Sequence, residues 1–389
     1  MKPLYTVFCA LSLTSVLLVS GCQSTHVQEV AAPVQVINDT AFPDHTLFAI
    51  ESPDEIFALN EEARQFIRTE IKPVMDVHAR MKTLARKIFD RTDFNLLYMA
   101  SANTVASETF DNRAANCLSM SILTYSLAKE AGFEVKFQEV DIPEYWTRQA
   151  GFSLLNGHIN LQMFPRTEVN VIHLMSSGLE VDFDPQPIRQ HFPKRYVDKS
   201  TVLAMFYNNK GAEALLKASY SKAYAYFKEA VKFDAQFDSV WVNLGLLYRF
   251  NGFHQLAEMS YDHALAIAPG NMTAVENLAY LYRITGREQL ADALSTKVEL
   301  ARKDNPYYHF ILGEQAFEKA LFDDALEHYR TALRLDRSKH EVYFGLAKVY
   351  YQLGDISRSQ RYLERAKAKS RNDQDRERYQ GKLNLFSKL

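Results

Sequence analysis

The sequence predicts an α+β domain followed by an all-α solenoid of paired helices. Two observations carry this reading. Upstream, helical spacing gives way to a run of short alternating segments separated by turn residues, the pattern of helices followed by a meander of strands. From residue 204 onward, small and aromatic residues return every 34 positions without insertion, the signature of stacked repeats. A third observation concerns the extreme N-terminus, where an apolar run precedes both parts.

That run extends from Leu4 to Val19 behind a single positive charge at Lys2, and it is short for a membrane-spanning helix, which needs about 20 apolar residues. It ends in Val19-Ser20-Gly21-Cys22, which resembles the lipobox of bacterial lipoproteins. The resemblance implies a signal peptide over 1–21, diacylglyceryl transfer to the Cys22 thiol and cleavage before it. With Gln23 following the cysteine, analogy favours the outer membrane, with the protein facing the periplasm. Residues 22–47 are polar with scattered valines and read as a lipidated tether, able to reach roughly 75 Å from the anchor if extended at about 3.3 Å per residue.

The first folded domain is expected over 48–200. Ser52-Pro53-Asp54-Glu55 has the form of a capping box with proline at the first helical position. Helices should cover about 60–71 and 74–91, and a third should run from about Cys117 to Ala131, where Gly132 stops it. Strand candidates follow at 135–140, His158–Phe164, Glu168–Leu174 and Leu179–Asp184.

The repeats begin at 204, 238, 272, 306 and 340 and end at 373. In the second of them Trp241, Leu244, Gly245, Tyr248, Gly252, Ala257, Tyr261, Ala264 and Pro269 resemble the tetratricopeptide (TPR) consensus at every offset. The small residue of the first helix recurs as Gly211, Gly245, Ala279, Gly313 and Ala347, where it lets paired helices approach closely. Residues 374–389 read as a polar capping helix, which a solenoid end requires. The resemblance implies a concave groove lined by Val242, Leu246, Arg249, Tyr280, Arg283, Phe310, Phe317, Phe344 and Tyr351. Aromatics with arginines suit a protein or peptide partner.

The cysteines are Cys9, Cys22 and Cys117. Removal of the first and lipidation of the second would leave Cys117 without an intramolecular partner in an oxidising compartment. Cys117 opens the third expected helix, His158 lies on a later strand, and Asp182 and Asp184 share one face of the strand after that. This order resembles the transglutaminase-like superfamily, whose core is papain-like. The resemblance implies Cys117 as nucleophile, His158 as general acid and base, and Asp182 or Asp184 as the carboxylate that orients the imidazole. Asp182 is slightly favoured because it sits deeper in the apolar strand. The backbone N–H of Cys117, with the Asn116 amide as a candidate side-chain donor, would face an oxyanion; the family's upstream tryptophan or glutamine has no clear equivalent. The residue types suit the chemistry, since a helix N-terminus and an imidazole both favour a thiolate.

A formal charge of −2 gives no basic footprint for nucleic acid. No cofactor is implied, and no paired-cysteine or His-x-x-x-His spacing points to a metal. Two functions follow: a membrane-tethered thiol enzyme acting on peptide or protein amides (a peptidase, amidase or acyl transferase), or a non-catalytic periplasmic scaffold whose first domain only binds.

Overall fold

The computed structural model describes residues 36–89, 96–149, 152–166, 178–183, 192–370 and 373–386. The expected signal peptide, Cys22, Asp184 and the candidate strand Glu168–Leu174 lie outside the described residues.

The α+β part opens with α1 (Pro53–Phe57), whose start is the expected capping box: the Ser52 hydroxyl accepts from Glu55 N, and the Glu55 carboxylate accepts from Ser52 N. The stretch expected as one helix over 60–71 is α2 (Glu61–Phe66) followed by a π-helical turn over Ile67–Ile71. That turn buries both Ile67 and Ile71 completely. Helices α3 (Val77–Phe89), α4 (Ala106–Asn112) and α5 (Cys117–Glu130) complete the helical layer. Gly132, at φ +92°, supplies the left-handed residue that ends α5. Two short parallel strands, β1 (Leu97–Tyr98) and β2 (Ala114–Ala115), lead the chain into α5.

Against α5 packs an antiparallel sheet of β3 (Glu134–Gln149), β4 (Phe152–Phe164), β5 (Leu179–Val181) and β6 (Lys194–Val197), in the order β5-β4-β3-β6. Strands β3 and β4 run well past the expected segments. Their register shifts between Val140 and Tyr145, and beyond that bulge they project as a two-stranded arm.

Five helix pairs follow: α6 (Lys199–Leu216) with α7 (Tyr220–Phe233), α8 (Asp238–Phe250) with α9 (His254–Ile267), α10 (Met272–Ile284) with α11 (Glu288–Arg302), α12 (Pro306–Glu318) with α13 (Phe322–Leu335), and α14 (His340–Gln352) with α15 (Ile356–Lys369). Helix α16 (Asp373–Phe386) stacks on the last pair. The first pair starts earlier than residue 204, because Val202 and Leu203 are buried where α6 abuts α5. The reason for a small residue in each first helix is visible. A Cβ added at Gly245 would lie 2.4 Å from the Tyr261 ring, one at Gly211 2.5 Å from Phe227, and one at Gly313 2.7 Å from Tyr329. In the third and fifth pairs, where the small residue is Ala279 or Ala347, the sequence has Ser295 or Leu363 at the offset that holds the aromatic in the other pairs.

One expectation is overturned at the N-terminal side. Residues 36–47, read as the end of a tether, are ordered and bound to the repeats. Val36 is fully buried and its carbonyl accepts from Tyr248 Oη at 2.8 Å. Asp39 accepts from Tyr224 Oη at 2.9 Å and Lys228 Nζ at 2.8 Å. Phe42 stacks on Tyr224 with ring centres 5.0 Å apart. Polar composition suggested a solvated chain, but Val36 and Phe42 supply enough apolar anchor to seat it.

Candidate functional site

Asn116 caps α5. Its Oδ1 accepts from Ser119 N at 2.8 Å, and its Nδ2 points to Asn103 Oδ1 at 3.4 Å. Asn103 in turn donates to the carbonyl of Phe206 in α6 at 3.2 Å, so the start of α5 is pinned to the first helix pair. Asn116 is therefore engaged in capping and not placed to serve an oxyanion; the backbone N–H groups at the start of α5 are the donors that face outward from a helix N-terminus. Cys117, the first residue of α5, is half-buried and carries no disulfide.

His158 lies on β4 opposite Val140, immediately before the bulge in β3, and is 5% exposed. Its Nε2 is 2.7 Å from Asp182 Oδ1. Asp182 follows the last residue of β5, so the short pairing of β5 with β4 brings it beside His158. Burial opposes charge on the imidazole. The hydrogen bonds to Asp182 and Cys117 and the electrostatic pull of both more than offset this and push the His158 pKa up to about 10. With Nε2 held by Asp182, Nδ1 is the nitrogen left for the Cys117 sulfur. The three residues thus form one chain, thiol to imidazole to carboxylate, with the imidazole cationic at neutral pH. Among the described residues no cluster of three or more metal-ligating side chains is found.

Sequence reading overlooked Asn160, which is fully buried and donates from Nδ2 to Asp182 Oδ2 at 3.2 Å. Its position two residues after His158 on a strand places both on one face, which was the available signal.

The expected groove residues divide into three groups. Val242 is 5% exposed and belongs to the core, which corrects its assignment; Leu246 packs partly against the same core. Arg249 lies 4.4 Å over the ring of Tyr280, and Arg283 is paired with Asp292 at 3.0 Å. In the last two pairs Phe310 and Phe317 are half-buried, Phe344 meets Tyr379 of α16 at 5.3 Å, and Tyr351 meets Phe386 at 5.7 Å.

The arm also reaches the repeats. Arg302, 2% exposed, donates from Nε and Nη2 to the Glu144 carboxylate at 2.7 and 2.8 Å and from Nη1 to Glu276 at 2.7 Å. Its guanidinium lies 4.8 Å from the Trp146 ring, and Asn305 Nδ2 donates to the Glu144 carbonyl at 2.8 Å. Nothing in the sequence linked positions so far apart.

The TPR_8 family model, described as "Tetratricopeptide repeat", matches residues 238–271, and the TPR_11 model, described as "TPR repeat", matches 313–354. The chain carries tetratricopeptide repeats. Protein O-mannosyl-transferase TMTC3 of Mus musculus is 28% identical over 165 residues, which is 39% of this chain and 18% of that protein. Superkiller protein 3 of Schizosaccharomyces pombe is 26% identical over 172 residues, 42% of this chain and 12% of that protein. Photosystem I assembly protein Ycf3 of Cyanophora paradoxa is 27% identical over 142 residues, 36% of this chain and 70% of that protein. This chain thus spans less than a fifth of the first two relatives. Among solved structures, MamA (AMB-1) is 26% identical, with 42% of this chain and 89% of that chain covered and a TM-score of 0.25. YrrB, titled a TPR protein with an unusual peptide-binding site, is 14% identical, with 44% and 89% covered and a TM-score of 0.26. Among the described residues no helix is long and apolar enough to cross a membrane.

Proposed function

We propose that this protein is a transglutaminase-like thiol enzyme acting on peptide or protein amides, joined to a TPR array that holds a protein or peptide partner. The single observation that supports the catalytic half is the chain from Cys117 through His158 to Asp182, with the imidazole nearly sealed from solvent and hydrogen-bonded on Nε2 at 2.7 Å. In the reaction, the Cys117 thiolate attacks the amide carbonyl carbon and a C–S bond forms. The C–N bond then breaks as His158 gives its proton to the departing amine. Water or a second amine, deprotonated by His158, attacks the thioester and restores the thiol. Asp182 holds the imidazole in orientation and offsets its charge. The lipobox resemblance at Cys22 supports a location on the periplasmic side of the bacterial outer membrane, within reach of envelope proteins.

The test needs no substrate. Cys117 should react with iodoacetamide at neutral pH faster than a simple thiol, and His158→Ala should slow it about tenfold or more, the loss of an adjacent cation. A rate equal to that of a simple thiol and indifferent to His158→Ala would overturn the enzyme reading. It would leave a scaffold in which the TPR array is the working part.

A further inference from the structure

We infer that Asn160 is a positioning residue of the thiol site, acting on His158 through Asp182; this rests on the reading of Cys117, His158 and Asp182 as an acyl-transfer centre. Asp182 stands at the end of a three-residue strand, and its side chain is 33% exposed. A carboxylate at such a position keeps a set plane when both of its oxygens are engaged, and the bond to His158 engages one. Asn160 supplies the second point. His158 Nε2 meets Oδ1 at 2.7 Å and Asn160 Nδ2 meets Oδ2 at 3.2 Å, both from the same face of β4. Two contacts on two oxygens of one carboxylate set its plane, leaving Oδ1 aimed at the ring.

The orientation of the amide follows from chemistry. An ionised carboxylate only accepts, so the Asn160 NH2 must face it, and Oδ1 points away. That Oδ1 is buried, with no hydrogen-bond partner among the described residues. An apolar side chain at this position would avoid that desolvation cost. An asparagine kept here at a cost to the fold is what a requirement for the Nδ2 donor would produce. Among the described residues the charged or titrating groups that act on His158 are Asp182 and Cys117, so a change in the carboxylate's position should register in the titration of the imidazole.

The experiment is an NMR titration of the imidazole resonances in the full chain, with His158 assigned by His158→Gln, alongside the pH profile of Cys117 alkylation. Asn160→Leu keeps the volume and removes the donor; Asn160→Ala serves if the leucine does not fold, as judged by thermal unfolding. The expected result is a folded variant whose His158 midpoint drops by about one pH unit and whose alkylation at neutral pH slows about tenfold, with Asp182→Asn dropping further. A merely structural role would lower the unfolding temperature and leave the midpoint in place. An unchanged midpoint in a folded Asn160 variant, while Asp182→Asn lowers it, would overturn the inference and leave the thiol reading intact. Alkylation indifferent to both His158→Ala and Asp182→Asn would remove the thiol reading and this inference with it.

Discussion

Arg302→Ala should release the arm from the repeats. The guanidinium makes three bonds to two carboxylates, Glu144 and Glu276, and lies against Trp146. Removing one partner of a fully buried ion pair costs about 3–5 kcal/mol, because the other charge is stranded. Here the Glu144 and Glu276 side chains are 31% and 52% exposed and can be rehydrated, so only the arginine is truly desolvated. The cost should therefore fall to about 2–3 kcal/mol, most of it charge-assisted hydrogen bonding and stacking. A double-mutant cycle with Glu144→Gln should return a coupling of about 1–2 kcal/mol, since the two groups touch directly. Denaturant unfolding gives both numbers. Hydrogen exchange of the amides over 141–146 supplies the local readout, with faster exchange expected in Arg302→Ala. Additive single mutants together with unchanged exchange would show that the arm does not depend on Arg302.

Other outcomes follow from single sites. Gly245→Ala should destabilise by about 1–3 kcal/mol through overlap with the Tyr261 ring, and Tyr261→Leu should recover much of this by copying the pairing of Ala347 with Leu363; thermal unfolding of the single and double variants checks it. Ala218 and Ala320 sit at φ +54° and +59°, the turn positions occupied by Gly252, Gly286 and Gly354 in the other pairs, so Ala218→Gly or Ala320→Gly should stabilise by about 0.5–1 kcal/mol, and lower denaturation midpoints would refute the strain argument. Because the folded His158 pKa lies above its ordinary 6.5, the stability it contributes is fully present below about pH 6.5, declines above that and is gone past about 10. A wild-type minus His158→Gln stability difference that rises across this window would contradict the assignment. Phe42→Ala should free the N-terminal segment, read as faster exchange at residues 36–47, with the repeat helices unaffected.

The repeats were legible because each position answers a local need: a small residue under an aromatic, a left-handed turn between helices, a packing tyrosine. Helix α5 was legible for the same reason, its cap, apolar spacing and terminal glycine lying within one continuous segment. The order of Cys117, His158 and Asp182 could be read along the chain; the preference for Asp182 over Asp184 rested on depth within an apolar strand, and Asp184 lies outside the described residues. What escaped were contacts between distant segments whose residues are individually ordinary. Glu144 and Arg302 look like solvated charges, and residues 36–47 look like linker. Only the folded chain brings Glu144 onto Arg302 or Phe42 onto Tyr224. Asn160 escaped because an asparagine on a strand has many uses, and its role depends on where the Asp182 carboxylate comes to rest.

The surface left for a partner is narrower than nine groove positions suggest. Helix α16 meets Phe344 and Tyr351, and the arm takes Arg302 beside Thr273 and Glu276. Tyr280 is 52% exposed and carries Arg249 stacked on its ring, while Arg283 lies exposed one turn further along the same helix. A partner that uses the groove should therefore depend on Tyr280 and Arg249 and be indifferent to Phe344. The two variants separate binding from folding. Tyr280→Ala loses an exposed ring and should cost less than about 1 kcal/mol, yet weaken capture of a protein or peptide partner. Phe344→Ala loses a ring packed on Tyr379 and should cost about 2–3 kcal/mol, yet capture normally once folded. Capture that followed stability in both variants, or that failed with Phe344→Ala at temperatures where the protein remains folded, would place the partner surface elsewhere on the array.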